Sequence, residues 1–195
     1  MNETPVFSST GQALHVSFMM AVLPPAQRVS TQVLIESIRQ QLGKEERRIE
    51  STINVGGLTP LEFRGQCALV TAAARDHLPV PEYAAVRARF GHQKTKAEGV
   101  KELADYCQAA TGLENNLAVR ALVWRRYHRG GQRGKDSFSL ARISSETGVS
   151  ESALRTAQGF IARMGDALEA RADARLAEVF ERTGLVAKAF EAVAA

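Results

Sequence analysis

The residues best placed to contact a nucleic acid lie in the stretch ISSETGVSESALRTAQGFI, residues 143–161. Arginine donates two parallel hydrogen bonds to a guanine edge, and a carboxylate accepts one from cytosine or orients a neighbouring arginine. Arg155 and Glu151 offer these two groups, and hydroxyl-bearing residues accompany them at helical spacing. We therefore predict that the exposed N-terminal face of a helix reads base edges through the following residues: Ser150, Glu151, Ser152, Arg155, Thr156 and Gly159.

A helix-turn-helix would position these side chains, because its second helix enters the major groove of DNA. Gly148 permits the left-handed backbone of the sharp turn, Ser144 is small enough for two helices to approach, and Ser150 caps the second helix. The residues predicted to face inward are Leu140, Ile143, Val149, Leu154 and Ala157. Thr147 departs from the pattern, since an apolar residue is usual at its position. An ordinary helical corner without a role in DNA binding is the alternative interpretation.

Positive charge is concentrated around this motif. The whole chain carries a net charge of +4, but residues 120–163 hold nine Lys/Arg against three Asp/Glu, whereas residues 1–119 are balanced. A basic segment of this kind favours a polyanion such as double-stranded DNA. We predict the following phosphate contacts: Arg125, Arg126, Arg129, Arg133, Lys135, Arg142 and Arg163. A second basic stretch, RARFGHQKTK at residues 87–96, either extends this surface or is a solvated helical face.

Other classes of function lack the residues that they need. Cys67 and Cys107 are isolated cysteines in helical patterns, which indicates buried free thiols and not a disulfide or a zinc site. The chain has no phosphate-binding glycine loop, nucleophile elbow or HExxH motif, so we expect no enzyme, no metal and no cofactor. Glu62, Asp76, His77 and Glu82 could be imagined as an acid–base group. Helix capping and surface ion pairs explain these residues better.

The apolar run ALHVSFMMAVLPP, residues 13–25, is too short to span a bilayer. It also lacks the basic flank that is typical of a secretion signal. A buried helix that ends at the two prolines explains the run more simply. We therefore expect a cytoplasmic protein without a membrane segment.

Helical patterns follow one another along the chain and strand patterns are almost absent, so we predict an all-α fold. Thr59 and Glu62 form a capping box with Pro60 at the first helical position, and Ser30 caps an earlier helix. The predicted segments are a multi-helix N-terminal body at 1–129, a basic glycine-rich linker at 130–136, and a helix-turn-helix with a long C-terminal helix at 137–195.

Apolar stripes at helical spacing predict which faces of these helices are buried. The stripe after the capping box consists of Leu61, Ala68, Leu69 and Ala72. The stripe before the basic segment consists of Val100, Leu103, Ala104 and Cys107. The stripe of the C-terminal helix consists of Leu168, Ala172, Leu176, Val179 and Phe180. The last stripe either packs onto the chain's own N-terminal body or forms a homodimer seam, so a homo-oligomer is allowed.

Residues 115–176, NNLAVRALVWRRYHRGGQRGKDSFSLARISSETGVSESALRTAQGFIARMGDALEARADARL, resemble the C-terminal region of phage late-gene antitermination proteins. The shared features are an LVxxxY helix, a Ser/Leu-led first helix, a VSxxxL second helix and a long helix that ends in AL…RL. The N-terminal half has no counterpart, and the cysteine-rich zinc insertion of some of these proteins is absent. The resemblance implies a phage or prophage transcription regulator that binds a late promoter through Arg155 and its neighbours and acts on RNA polymerase.

The same motif would also serve a phage DNA-packaging or replication adaptor, comparable to a terminase small subunit, that recognises a start site on DNA. A helical protein that acts only through protein contacts is a third hypothesis. The sequence does not separate the first two, because both need a helix-turn-helix and double-stranded DNA. Only the first adds RNA polymerase as a partner.

Overall fold

The computed structural model describes residues 5–23, 57–128 and 138–186, and this part of the chain is all-helical, as predicted. Its helices are α1 (Thr10–Met20), α2 (Pro60–His77), α3 (Val80–Phe90), α4 (Gln93–Thr111), α5 (Asn116–Tyr127), α6 (Leu140–Thr147) and α7 (Glu151–Arg182). The described residues contain no strand, and an isolated parallel bridge joins Phe7 to Val186. The predicted helix after Ser30 and the linker at 130–136 lie outside the described residues.

Local signals at the helix ends behave as the sequence predicts. The Thr59 hydroxyl accepts a hydrogen bond from the backbone N–H of Glu62, and the Glu62 carboxylate accepts one from the N–H of Thr59 at 2.7 Å. Helix α4 ends at Gly112, whose φ of 68° is the left-handed conformation that glycine adopts without strain. Helix α5 ends at Tyr127, because His128 has an extended backbone.

Unit 1 is a compact unit made of residues 1–78 and 173–195, and its described helices are α1, α2 and the last turns of α7. Every residue of α1 from Gln12 to Met20 is buried. Helix α2 turns a different face inward from the predicted stripe, since Leu61 is 81% exposed and Leu69 is 57% exposed. The buried face consists of Phe63, Cys67, Val70 and Ala74, and its aromatic ring is the largest apolar side chain of the helix.

Unit 2 is a compact unit made of Pro79–Ala172, and it contains α3 to α6 and the first two thirds of α7. Its core includes the predicted face of α4, namely Val100, Leu103, Ala104 and Cys107. The same core includes Ile143 of α6 and Leu154, Ala157 and Ile161 of α7. The helix-turn-helix therefore shares a core with α3, α4 and α5, whereas the predicted segments placed it apart from them after residue 129.

The stripe of the long C-terminal helix is buried within a single chain. Leu168, Ala172, Leu176 and Phe180 have at most 1% of their surface exposed, and Val179 is half-buried. Of the two alternatives for this stripe, packing inside the chain is therefore the one that the structure supports.

The described residues also show whether a helix could span a membrane, the state of the two cysteines and any grouping of metal-ligating side chains. None of them is both long and apolar enough to cross a membrane. Cys67 and Cys107 are free and buried, as the sequence predicts. Within the described ranges, no three His, Cys, Asp or Glu residues are grouped so that they could hold a metal ion.

Candidate nucleic-acid interface

Helices α6 and α7 meet at the sharp turn that the sequence predicts. Ser139 caps α6 by accepting a hydrogen bond from the backbone N–H of Arg142 at 3.3 Å. Gly148 follows with a φ of 72°, and its N–H donates to the carbonyl of Ser144 at 2.8 Å. Only glycine adopts this left-handed backbone readily, so Gly148 ends α6 and sets the direction of the next helix.

Thr147, the one departure from the usual pattern, has hydrogen-bond partners in the turn. Its hydroxyl donates to the carbonyl of Ile143 at 2.6 Å and accepts from the N–H of Val149 at 3.5 Å. A half-buried hydroxyl is tolerated when backbone groups satisfy it. The polar residue therefore fits this corner without loss of the motif.

The start of α7 also has the predicted geometry. The hydroxyl of Ser150 accepts from the N–H of Ala153 at 3.3 Å, as an N-cap residue does. Val149 packs against the core of unit 2, and Leu154 and Ala157 are buried in it. These contacts fix which face of α7 points away from the core.

The face of α7 that points outward carries polar and basic side chains. Advancing about 100° per residue places Ser152, Arg155, Thr156, Gly159 and Arg163 within one third of the helix circumference. All are exposed except Gly159, which is half-buried, and the predicted Ser150 and Glu151 are exposed beside them. Within the described residues, Arg155 and Arg163 form no ion pair. The structure thus brings the predicted base-reading residues onto one accessible surface, the α7 face.

The predicted phosphate contacts divide into three groups. Arg142 and Arg163 are exposed on the helix-turn-helix, with Arg142 paired to Glu146 at 2.7 Å. Arg125 instead donates to the carbonyl of Phe138, whose ring stacks on Trp124 with centroids 6.3 Å apart. These contacts attach the segment before α6 to α5. The third group, Arg129, Arg133 and Lys135, lies outside the described residues.

Arg126 belongs to an ion-pair network centred on Glu169. Its guanidinium donates to Glu169 at 3.0 Å and to Asp166 at 2.9 Å, and the Tyr127 hydroxyl donates to Glu169 at 2.8 Å. Arg89 forms a further ion pair with Glu169. Burial and the adjacent Glu169 charge raise the pKa of Tyr127, so this hydroxyl stays protonated and donates.

The network brings α5 close to α7 at Gly165. A Cβ atom at this position would lie 2.4 Å from Nε of Arg126, so no larger residue fits without a shift. A polar pocket of about 380 Å³ opens beside the network and is lined by Arg89, Arg126, Tyr127, His128 and Glu169. The sequence shows Arg89 and Arg126, but nothing local indicates that their shared partner is Glu169, which lies 80 positions from Arg89 and 43 from Arg126.

Asn115 joins the start of α5 to the turn of the helix-turn-helix. Its side-chain oxygen accepts from the N–H groups of Leu117 at 3.0 Å and Ala118 at 3.2 Å, and its side-chain nitrogen donates to the carbonyl of Thr147 at 3.0 Å. Asparagine before a helix is a local capping signal that the sequence does reveal. Its contact with Thr147 depends on tertiary packing and was not predicted.

Other charged residues that the sequence singled out form ion pairs or helix caps within the fold. Arg87 is buried and forms ion pairs with Glu98 and Glu102, so the stretch 87–96 is not simply a free basic surface. Asp76 pairs with Arg75 at 2.8 Å, and the buried Glu82 pairs with Arg171 at 3.2 Å. With Glu62 in the capping box, helix capping and ion pairs account for these three carboxylates.

No protein-family model matches this chain, and no curated protein matches it significantly.

Proposed function

We propose that this protein recognises double-stranded DNA, with the first turns of α7 in the major groove and α6 across the phosphate backbone. The α7 face supports this proposal most directly, because it places Arg155 and Arg163 outward with no ion-pair partner in the described residues. A charged side chain without a partner inside the protein remains available to a partner outside it.

The polar and charged residues of the α7 face each have a role in this proposal. Arg155 lies in the second turn and donates to a guanine edge, while Glu151 accepts from cytosine or orients Arg155. Ser150, Ser152 and Thr156 supply hydroxyl groups. Arg142 and Arg163 contact phosphates, together with Arg129, Arg133 and Lys135. Arg125 and Arg126 are not among the proposed phosphate contacts, because their side chains are bound to other groups of the protein.

We further propose that the protein is a phage or prophage transcription regulator of the antitermination type that acts in the cytoplasm. This step depends on the resemblance of residues 115–176 to late-gene antitermination proteins. RNA polymerase is then the second partner, and the helices outside the helix-turn-helix are the part of the chain left to contact it. The protein works by binding alone, without catalysis or a cofactor.

Selection of bound fragments from host and phage genomes, at moderate salt, tests the proposal and identifies the site. We expect enrichment of fragments at a late promoter. Enrichment at a packaging or replication start site would instead support the adaptor hypothesis, and no enrichment of any fragment would overturn DNA recognition.

The salt dependence of binding tests the electrostatic part. Several phosphate contacts release several counterions, so affinity should fall by roughly a hundredfold between about 50 and 200 mM salt. Fluorescence anisotropy with a labelled duplex measures this fall. A flat response would contradict a phosphate-contacting surface.

A further inference from the structure

Five of the six glycines described in unit 2 are required by the fold. Gly112 and Gly148 have a left-handed backbone. Gly91, Gly99 and Gly165 leave no space for a Cβ atom, which would come within 2.6 Å of another group. Glycine inside a helix is less favourable than alanine, and close packing of helices offsets this cost for Gly99 and Gly165.

Gly159 is the exception. It lies inside α7 with ordinary helical geometry, and an added Cβ would meet only the Arg163 guanidinium, at 4.0 Å. That distance is normal van der Waals contact, so alanine fits this position without a shift. Packing in the described residues therefore does not require glycine at residue 159, as it does not at Gly65 of α2. What distinguishes Gly159 is its position on the basic α7 face.

The surroundings of Gly159 indicate the chemistry of a partner at this position. It lies on the α7 face one turn after Arg155, and the exposed Arg163 follows one turn later with its guanidinium beside the glycine. Beyond Arg163, the next charged residues of the helix are Asp166 and Glu169. The basic surface therefore ends at the glycine and Arg163, which suits an anionic group that approaches the helix at this point.

We propose that Gly159 forms a notch in which a DNA phosphodiester lies against the helix backbone and accepts hydrogen bonds from Arg163. This inference rests on the proposed function and replaces the base-reading role that the sequence predicted for Gly159. It adds the place where the sugar-phosphate strand comes closest to α7. A methyl group at residue 159 would hold the strand away and lengthen the hydrogen bonds from Arg163. The glycine thus reduces helix stability and shortens the contact with DNA.

The experiment compares Gly159→Ala with Gly65→Ala. Gly65 is an exposed glycine inside α2, where an added Cβ also meets nothing within 4 Å, so the two substitutions are matched in the folded protein. Both should raise the melting temperature by a few degrees. Only Gly159→Ala should weaken DNA binding, on the order of tenfold, as expected for loss of one charge-assisted hydrogen bond.

A double-mutant cycle assigns the effect to a phosphate. Arg163→Ala should weaken binding to cognate and random duplexes alike and lower the salt slope by about one unit. Adding Gly159→Ala to this variant should then change affinity little, since the contact that the methyl group would disturb is already absent.

Three results would overturn the proposal that a phosphate lies at Gly159. One is Gly159→Ala binding as tightly as the wild type, and another is a fall in its melting temperature, which would indicate a structural need for the glycine. The third is a loss confined to the cognate duplex with an unchanged salt slope, which would place a base edge there. Wild-type protein that binds no duplex at low salt would instead refute the proposed function.

Discussion

Two stretches of the same helix use charge in opposite ways. In the stretch Glu151–Arg163 of α7, Arg155 and Arg163 are exposed and form no ion pair within the described residues. In the following turns, Asp166 and Glu169 pair with Arg126 of α5, and Arg171 pairs with Glu82 of α3. Basic composition alone therefore does not identify a binding surface, because the partner of each charge decides its role.

The two stretches also differ in what a substitution should change. Glu169 is mostly buried and accepts from three donors, so its loss leaves the partly buried Arg126 with only the exposed Asp166 and leaves the Tyr127 hydroxyl without its acceptor. Arg155 is exposed, and its removal costs the folded protein little. Substitutions near Glu169 should therefore change the stability of the protein, and substitutions near Arg155 should change its affinity for DNA.

The largest effect on stability is expected from Glu169→Ala. It removes the acceptor shared by Arg126, Tyr127 and Arg89, and should lower the free energy of unfolding by about 2–3 kcal/mol. Urea denaturation followed by circular dichroism measures this loss. Asp166→Ala is the control, because its side chain is 74% exposed, and it should cost less than about 0.5 kcal/mol. Equal losses in the two variants would show that Glu169 is not the centre of the ion-pair network.

Arg155→Ala should act on DNA binding alone. We expect a loss of about 1–3 kcal/mol on the cognate duplex, little change on random DNA and an unchanged melting temperature. Arg171→Ala, on the same helix, is the matched control: it removes an ion-pair partner of Glu82 and should lower stability without changing DNA affinity. Anisotropy titrations with the two duplexes measure the first effect. Equal losses on both duplexes would make Arg155 a phosphate contact instead of a base reader.

The smallest effect is expected from Glu146→Gln, which tests an intermediate case. Arg142 is exposed on α6 but pairs with Glu146 one turn away. The substitution frees Arg142 and removes a negative charge near the DNA. Affinity should rise about twofold, and stability should change by no more than about 0.5 kcal/mol. Unchanged or weaker binding at low salt would show that Arg142 does not face DNA.

The sequence predicted the parts of the motif that depend on adjacent residues. The left-handed backbone of Gly148 is a property of that residue, and the cap at Ser150 needs only its own hydroxyl and the next helical turn. The capping box at Thr59 and Glu62 is equally local. The exposure of the α7 face followed as well, because Leu154 and Ala157 fix the buried side of the helix.

The sequence did not predict interactions that depend on distant packing. Arginine commonly contacts phosphate, so Arg126 was predicted to do so. Its partners in the fold, Asp166 and Glu169, lie about 40 residues away along the chain. The exposed Leu61 of α2 shows the same limit, since two apolar stripes compete on that helix and the aromatic one is buried. The core that α5 and α6 share depends on packing in the same way, because it joins residues on both sides of the glycine-rich stretch.

The buried thiols give each compact unit its own chemical reporter. Cys67 belongs to unit 1 and Cys107 to unit 2, and they are the only cysteines of the chain. Burial raises the pKa of Cys67 to about 12 and that of Cys107 to about 11, so at neutral pH roughly one Cys107 in ten thousand carries the reactive thiolate. A thiol reagent therefore modifies either residue only when its surroundings open. Mass spectrometry of the two labelled peptides would then time the local unfolding of each unit separately in the unmodified sequence.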